Sequence, residues 1–471
     1  MSELRKDSLS FPEAVGQSIA AISPTFTPAI GVAVVGGMAG TASWLVFVVA
    51  TIMMIVVGLN IARLAKRIPA AGASFLYVSR TLGPSAGLPT AWAMMLGYLF
   101  TSIALVVATA MFFQDFLTGI GVSLVIPNVV LFLVVGVAVW FFAYRDIKMS
   151  SQLALALEAV SVVLIIAVCF VIWDHYGFAM DPKQIHLEGA TLGGAGPAIV
   201  FAIFSFVGFE SCTTLGKETR NAGNILPKVV LATAIFAGIF FVFTTFVTVI
   251  GFADDADKLG ASAKPLSDIS SGITATVATL VYIGATISCF ACALAHLNAF
   301  GRMLFSLGRY QFVHKSMGFV HTEHRTPHLA LTLGAVTGFI IAAVFSKQAE
   351  TDLIGYFGTI ATFGFIFNYL LCSVCAPILL RRQNILTAFD VLLGVVGAIC
   401  MVLAFVGSVY PVPDYPYNYF PYGFVVYMIV GVLWLMVLRN KMPQVLMSIE
   451  HDLESTAASP PPAKGPRQAT A

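Results

Sequence analysis

Charge is what this sequence has least of. Only 10% of its 471 residues are Asp, Glu, Lys or Arg, against about 25% in a typical soluble domain. Apolar residues make up 58%, and the mean hydropathy is +0.91. That balance excludes a water-soluble enzyme, and with it a disordered chain, a collagen and a disulfide scaffold. The seven cysteines (Cys169, Cys212, Cys289, Cys292, Cys372, Cys375 and Cys400) all lie in apolar stretches, so no disulfide framework is implied. Residues 1–10 are polar with both signs of charge, and no small-residue cleavage site follows a short apolar core; no cleaved signal peptide is expected. No Asn-x-Ser/Thr sequon occurs, which fits a bacterial membrane. His-Glu-x-x-His, Gly-x-Ser-x-Gly and Walker-A patterns are also missing. The usual inventory of an intramembrane enzyme or an ATP-driven pump is therefore absent, and the expectation is a protein that is not an enzyme and uses no cofactor.

What is present is a series of long apolar runs. Spanning a bilayer takes about 20 apolar residues per helix, and runs this long without alternation must satisfy their backbone as helices. Polar punctuation divides the chain into twelve expected spans, at 12–35, 41–62, 87–113, 125–142, 153–173 and 198–215, then 229–252, 273–294, 329–345, 353–380, 389–410 and 422–438. Lys and Arg test this threading, because cytoplasmic loops carry the positive excess. Of the 25 basic residues, all but Lys183, Lys258, Lys264 and Lys347 fall on the alternate segments that share a side with both termini. Both termini are expected inside, in the inner membrane of a bacterium. The tail 439–471, with Pro460, Pro461 and Pro462, reads as disordered.

Two spans look interrupted, and they hold matching places, first and sixth. Pro24 and Pro28 sit four residues apart in Ser23-Pro24-Thr25-Phe26-Thr27-Pro28, and each lacks an amide hydrogen and clashes with the preceding turn. The sixth span contains Ser205-Phe206-Val207-Gly208-Phe209-Glu210, with a glycine and a carboxylate near its middle. Broken helices at equivalent positions of two half-sequences point to a transporter site built on inverted repeats. Unwound backbone at that depth offers free N–H and C=O groups, suited to a carboxylate and an ammonium on one small molecule. A plain proline kink with a packing glycine fits the same residues, and the two readings stay open at this point.

Three stretches resemble the amino acid–polyamine–organocation superfamily of permeases. They are Pro69-Ala70-Ala71-Gly72-Ala73-Ser74-Phe75-Leu76-Tyr77 with Leu82-Gly83-Pro84, the sixth span leading into Leu215-Gly216-Lys217-Glu218-Thr219-Arg220-Asn221, and Arg302-Met303-Leu304-Phe305-Ser306-Leu307-Gly308-Arg309 with Arg325-Thr326-Pro327. The resemblance runs from Pro12 to Leu438. It implies an all-α integral membrane fold of the leucine-transporter type: two five-helix repeats, 12–173 and 198–380, inverted about the membrane plane and joined by an external loop at 174–197. Two additional helices follow at 389–438, and residues 1–11 form a cytoplasmic tail. Substrate would lie between spans one and six, on Ser23, Thr25, Phe26 and Thr27 and on Phe204, Ser205, Phe206, Val207 and Gly208. Its carboxylate would sit on first-span amides and its amine on sixth-span carbonyls. Phe204 matches a gating aromatic of an arginine/agmatine antiporter in the family, and Glu210 a glutamate there associated with proton sensing. The chain departs from the pattern in the first break, in having Ala222 after Asn221, and in lacking the fifth-span lysine of some relatives; Ser161 lies near that place, with Glu158 a turn earlier.

Glu158 is flanked by apolar residues, where an ionised carboxylate costs about 2.5–3.5 kcal/mol on insertion scales. It reads either as a proton carrier or as a carboxyl hydrogen-bonded to a neighbouring helix. Glu210, bordering a break, is the first expectation for proton coupling and Glu158 the second. Cys289-x-x-Cys292 and Cys372-x-x-Cys375, with His296 nearby, have ligand-like spacing but lie on apolar helix faces; no metal is expected, and His296 reads as a packed interfacial residue. The Phe residues are lipid-facing and core material, so no nucleic-acid partner is expected. The function implied is secondary active transport of amino acids or small amines through the bilayer, by proton-coupled symport and alternating access. An exchanger of substrate and product or of polyamines is the alternative within the same fold, and a channel or sensor the alternative outside it. Thr286 and Ser288 keep sodium coupling open.

Overall fold

The computed structural model describes residues 4–441, apart from 70, 179 and 191. The end of the expected tail, from 442 onward, lies outside the described residues. In chain order the helices are α1 (Phe11–Ile22), α2 (Val32–Ala39), α3 (Ser43–Arg67), α4 (Ala73–Leu82), α5 (Pro84–Gly119), α6 (Asn128–Tyr144), α7 (Ile147–His175), α8 (Pro182–His186) and α9 (Leu192–Phe204). They continue with α10 (Ala222–Gly251), α11 (Ala256–Ala261), α12 (Pro265–Ile273), α13 (Ala275–Arg309), α14 (His328–Val344), α15 (Glu350–Arg382), α16 (Ala388–Gly407) and α17 (Phe420–Lys441). Among the described residues there is no strand, only two isolated bridges, Leu9 with Thr219 and Ala71 with Leu215. Among the described residues eight helical segments are long and apolar enough to cross a membrane; Asn128–Tyr144 and His328–Val344 are shorter apolar helices. By length and composition the expected count of twelve is therefore reached only in part.

Local chemistry sets where the helices start. Glu13 reaches back to the Ser10 amide at 2.9 Å, and Pro12 occupies the first turn of α1, where no amide is needed. The Asp146 carboxylate accepts from the Lys148 amide at 2.7 Å to open α7. Gly72 precedes α4 at φ +85°, and a Cβ there would lie 2.6 Å from Ser306 Oγ. Only glycine fits that close approach, which is the physical content of the Pro-x-x-Gly loop.

The core is one continuous apolar cluster running through α3, α5, α10, α13 and α15. The first broken span packs against α7, α10 and α13, and α9 against α2 and α3, so both breaks sit inside the bundle. The outer faces of α6, α14, α16 and α17 remain rich in exposed Val, Leu and Ile, as lipid contact requires.

The face that carries most of the basic residues is closed. Ser8 and Leu9 donate their amides to Glu218 O at 2.9 and 3.0 Å, and Arg220 donates its own to Leu9 O at 2.8 Å. Leu4 packs with Ala71, Phe305 and Val320, and Leu9 with Ile147 and Leu215. Beneath this strap Arg302 and Glu218 form a fully buried two-pronged ion pair, Nε to Oε2 at 2.8 Å and Nη2 to Oε1 at 3.1 Å. Breaking a buried pair strands a charge and costs about 3–5 kcal/mol, whereas replacing both partners by apolar groups costs far less. Glu218→Gln should therefore lower Tm in detergent more than the double change Arg302→Met with Glu218→Leu; thermal unfolding of both proteins checks the order.

Candidate functional site

The first break begins where α1 ends. Ser23 adopts a left-handed conformation (φ 50°) with its amide on Ala20 O, and Pro24 has no amide to continue the ladder. The chain recovers through a π turn, Thr27–Gly31, before α2. Between Pro24 and Pro28 the first-span amides are those of Thr25, Phe26 and Thr27, and that of Phe26 is already given to Ser23 O at 3.0 Å. Those of Thr25 and Thr27 remain as candidate donors.

The side chains of this break meet α7 and α13. Ser23 Oγ is 2.9 Å from Ser288 Oγ, which lies 2.9 Å from both oxygens of Glu158. With Glu158 ionised, Ser288 donates to the carboxylate and Ser23 donates to Ser288; when Glu158 holds a proton its own O–H can donate to Ser288 and the chain can reverse. Ser161 Oγ donates to Thr25 Oγ1 at 3.0 Å, and Thr25 passes its hydrogen towards Gly284 O at 3.4 Å. Ser23, Thr25, Glu158, Ser161 and Ser288 are all buried, and no ion pair of Glu158 occurs among the described residues. Thr286 instead donates along its own helix, to Tyr282 O at 2.7 Å.

The sixth span opens after Phe204 into turns that end in a short 3-10 helix, Ser211–Thr214. Gly208 has φ +90°, a conformation that L side chains rarely adopt. Its amide donates to Tyr369 Oη at 3.2 Å, and the Tyr369 hydroxyl donates to Glu210 Oε2. Tyr98 Oη donates to Glu210 Oε1 at 3.1 Å, so both carboxylate oxygens of this buried residue are satisfied by phenols. The sixth break is also tied to α1, the helix that runs into the first: Ser211 Oγ donates to Gln17 O at 3.1 Å, and the Cys212 amide to Ser18 Oγ at 3.1 Å.

The other sixth-span candidates divide. The partly buried Phe204 ring lies against Gly358 of α15, where a Cβ would approach it to 2.9 Å. Ser205 Oγ approaches the end of the π turn at Gly31. Phe206 is fully buried against Phe241, ring centroids 5.1 Å apart, and Val207 is packed in the core. Those two side chains serve packing. Tyr98, Tyr369 and His296 were not legible as site residues. His296, expected as a packed interfacial residue, is fully buried between helices with its ring against Tyr98 and Phe365, and its Nε2 lies close to Gly208 of the sixth break.

The amino acid permease family model matches residues 15–444. The chain belongs to that family. Over 332 residues, 67% of the permease and 70% of the relative, it is 26% identical to the low-affinity putrescine importer PlaP of Escherichia coli K12. It is 25% identical over 364 residues, 73% and 75% of the two chains, to the branched-chain amino acid permease BcaP of Bacillus subtilis. Among solved structures the permease resembles MhsT in complex with L-phenylalanine, with a TM-score of 0.59 at 15% identity, covering 86% of this chain and 99% of that one. At that identity the likeness carries the fold alone, a leucine-transporter-like helical bundle.

Tyr369 does two things at the sixth break and Tyr98 one. Leaving a buried polar group unsatisfied costs about 1–3 kcal/mol. Tyr369→Phe removes the partner of the Gly208 amide as well as a donor to Glu210, so it should lower Tm more than Tyr98→Phe, measured on the two purified variants side by side.

Proposed function

We propose that this permease imports amino acids or related small amines across the inner membrane of a bacterium, coupled to protons. Its reading as a transporter and not an enzyme follows the family, and the substrate class follows what its relatives' names say they carry. The observation that supports proton coupling is the Glu158–Ser288–Ser23 chain. A carboxyl at membrane depth, with a serine hydroxyl as its donor and no cation paired to it, is stable when it holds a proton. Its hydrogen bonds run directly to the first break, so gaining or losing that proton changes the partners available at the substrate site. Glu210 is better able to stay ionised between two phenol donors. On this reading Glu158 carries the proton and Glu210 holds the sixth break in shape. The substrate carboxylate takes the Thr25 and Thr27 amides, and Phe204 closes over it against α15.

The threading is part of the same proposal: twelve spans, two inverted repeats at 12–173 and 198–380, the pair at 389–438, and both termini with the strapped basic face in the cytoplasm. Cysteine-accessibility labelling should find the 254–264 loop outside and the 309–325 loop inside; the same side for both contradicts the threading.

Uptake of an amino acid panel and putrescine into proteoliposomes, under imposed proton or sodium gradients, tests the coupling. Glu158→Gln mimics the protonated carboxyl, so substrate should still bind and exchange while a pH gradient no longer drives accumulation. Glu210→Gln should keep a pH-driven component, though at reduced rate. The reverse outcome moves the proton to Glu210, and wild-type uptake that needs sodium and ignores the pH gradient contradicts proton coupling. Phe204→Ala should slow transport and weaken occlusion while the protein stays folded, and Phe204→Trp should be tolerated; uptake unchanged in the alanine variant removes the gate assignment.

A further inference from the structure

One buried polar atom at the breaks has no partner. His296 is 0% exposed, and among the described residues nothing hydrogen-bonds to its Nε2. The other ring nitrogen fixes the tautomer. Nδ1 lies 3.0 Å from the carbonyl oxygen of Cys292, which can only accept, so Nδ1 carries the hydrogen. The Cys292 thiol, 3.4 Å from Nδ1, gives its own hydrogen to Ala21 O at 3.2 Å. Nε2 therefore presents an unused lone pair.

That lone pair belongs to the junction of the two breaks. The point a Cβ of Gly208 would occupy is 2.9 Å from Ala21 O and 3.0 Å from His296 Nε2. Ala21 O is a carbonyl of the last turn of α1, which the Ser23–Pro24 break leaves without the amide that would follow in a continuous helix. Two acceptors, one from α1 and one from α13, thus converge beside the Gly208 α-carbon, each at hydrogen-bond length from the same point. In this arrangement the glycine itself fills the corner. A shift of the sixth break would bare both acceptors together. One group that satisfies two converging acceptors brings two or more hydrogens on a single atom: a water or an amide brings two, and a primary ammonium, which also carries charge, brings three.

We propose that His296 Nε2, with Ala21 O, receives the ammonium group of the transported molecule, and so selects for primary amines. This deepens the substrate reading above and rests on it. Because the imidazole is neutral, it contributes an acceptor without a second buried carboxylate. In this arrangement only glycine fits at 208, where φ is +90° and a Cβ would lie 2.9 Å from Ala21 O and 3.0 Å from His296 Nε2.

The test is ligand affinity of the purified full chain in detergent, measured by calorimetry with two matched pairs: leucine against 4-methylpentanoate, and putrescine against 1,4-butanediol. His296→Met should weaken leucine or putrescine, whichever the wild type binds, by roughly 10- to 100-fold. Affinity for the amine-free partner should not change. His296→Gln, which keeps an acceptor near Nε2, should stay within about threefold of wild type. Affinity for the amine unchanged in His296→Met, or lost equally for both members of a pair, overturns the assignment. A wild type that binds neither leucine nor putrescine overturns the substrate reading beneath it.

Discussion

A chain in hydrocarbon has no water to complete its hydrogen bonds, and this constraint organises the whole molecule. Each described segment that crosses the bundle is helical except at the two breaks, and neighbouring helices hold the broken backbone. The amide of Cys212 is capped by Ser18, the hydroxyl of Ser211 by Gln17 O, and the amide of Gly208 by Tyr369. Ser23 reaches Glu158 only through Ser288. Backbone that would be ruinous facing lipid is tolerable here because side chains from α1, α7, α13 and α15 stand where water would. A molecule with its own carboxylate and ammonium can substitute for some of those partners, which makes an opening in the backbone into a binding site.

The two buried carboxyls show how setting divides similar residues. Glu210 and Glu158 are equally hidden, yet Glu210 receives a hydrogen bond on each oxygen while Glu158 depends on one serine. The serine is in turn the partner of the first break. Glu158 is thus one hydrogen bond removed from Ser288 and two from Ser23, close enough for its charge state to be felt at the first break. Glu218, fully buried on the basic face, is settled differently again, by a two-pronged arginine.

Much of this was written locally and could be read locally. Pro24, Pro28 and Gly208 mark the breaks because proline and glycine act on their own backbone, and Gly72 marks the turn before α4 for the same reason. The resemblance carried the loops around Lys217 and Arg302 in their correct order, but not the pairing of Glu218 with Arg302. What stayed hidden needs a neighbour from another helix. Tyr98, Tyr369 and His296 sit in apolar runs where the sequence gives a helix and a face but no partner, so His296 reads as packing until Gly208 and Ala21 are seen beside it. Phe206 and Val207 adjoin the break in sequence, and the turn points their side chains into the core against Phe241 and its neighbours, which leaves only their backbone to face the break.

The central claim is that the two breaks form one site. Hydrogen–deuterium exchange on the purified protein, with and without saturating leucine and, separately, putrescine, tests it most directly. The ligand that binds should slow exchange in peptides covering 20–31 and 201–214 together, with smaller changes in α7 and α13. Protection confined to one of the two segments, or found only outside both, would contradict the account.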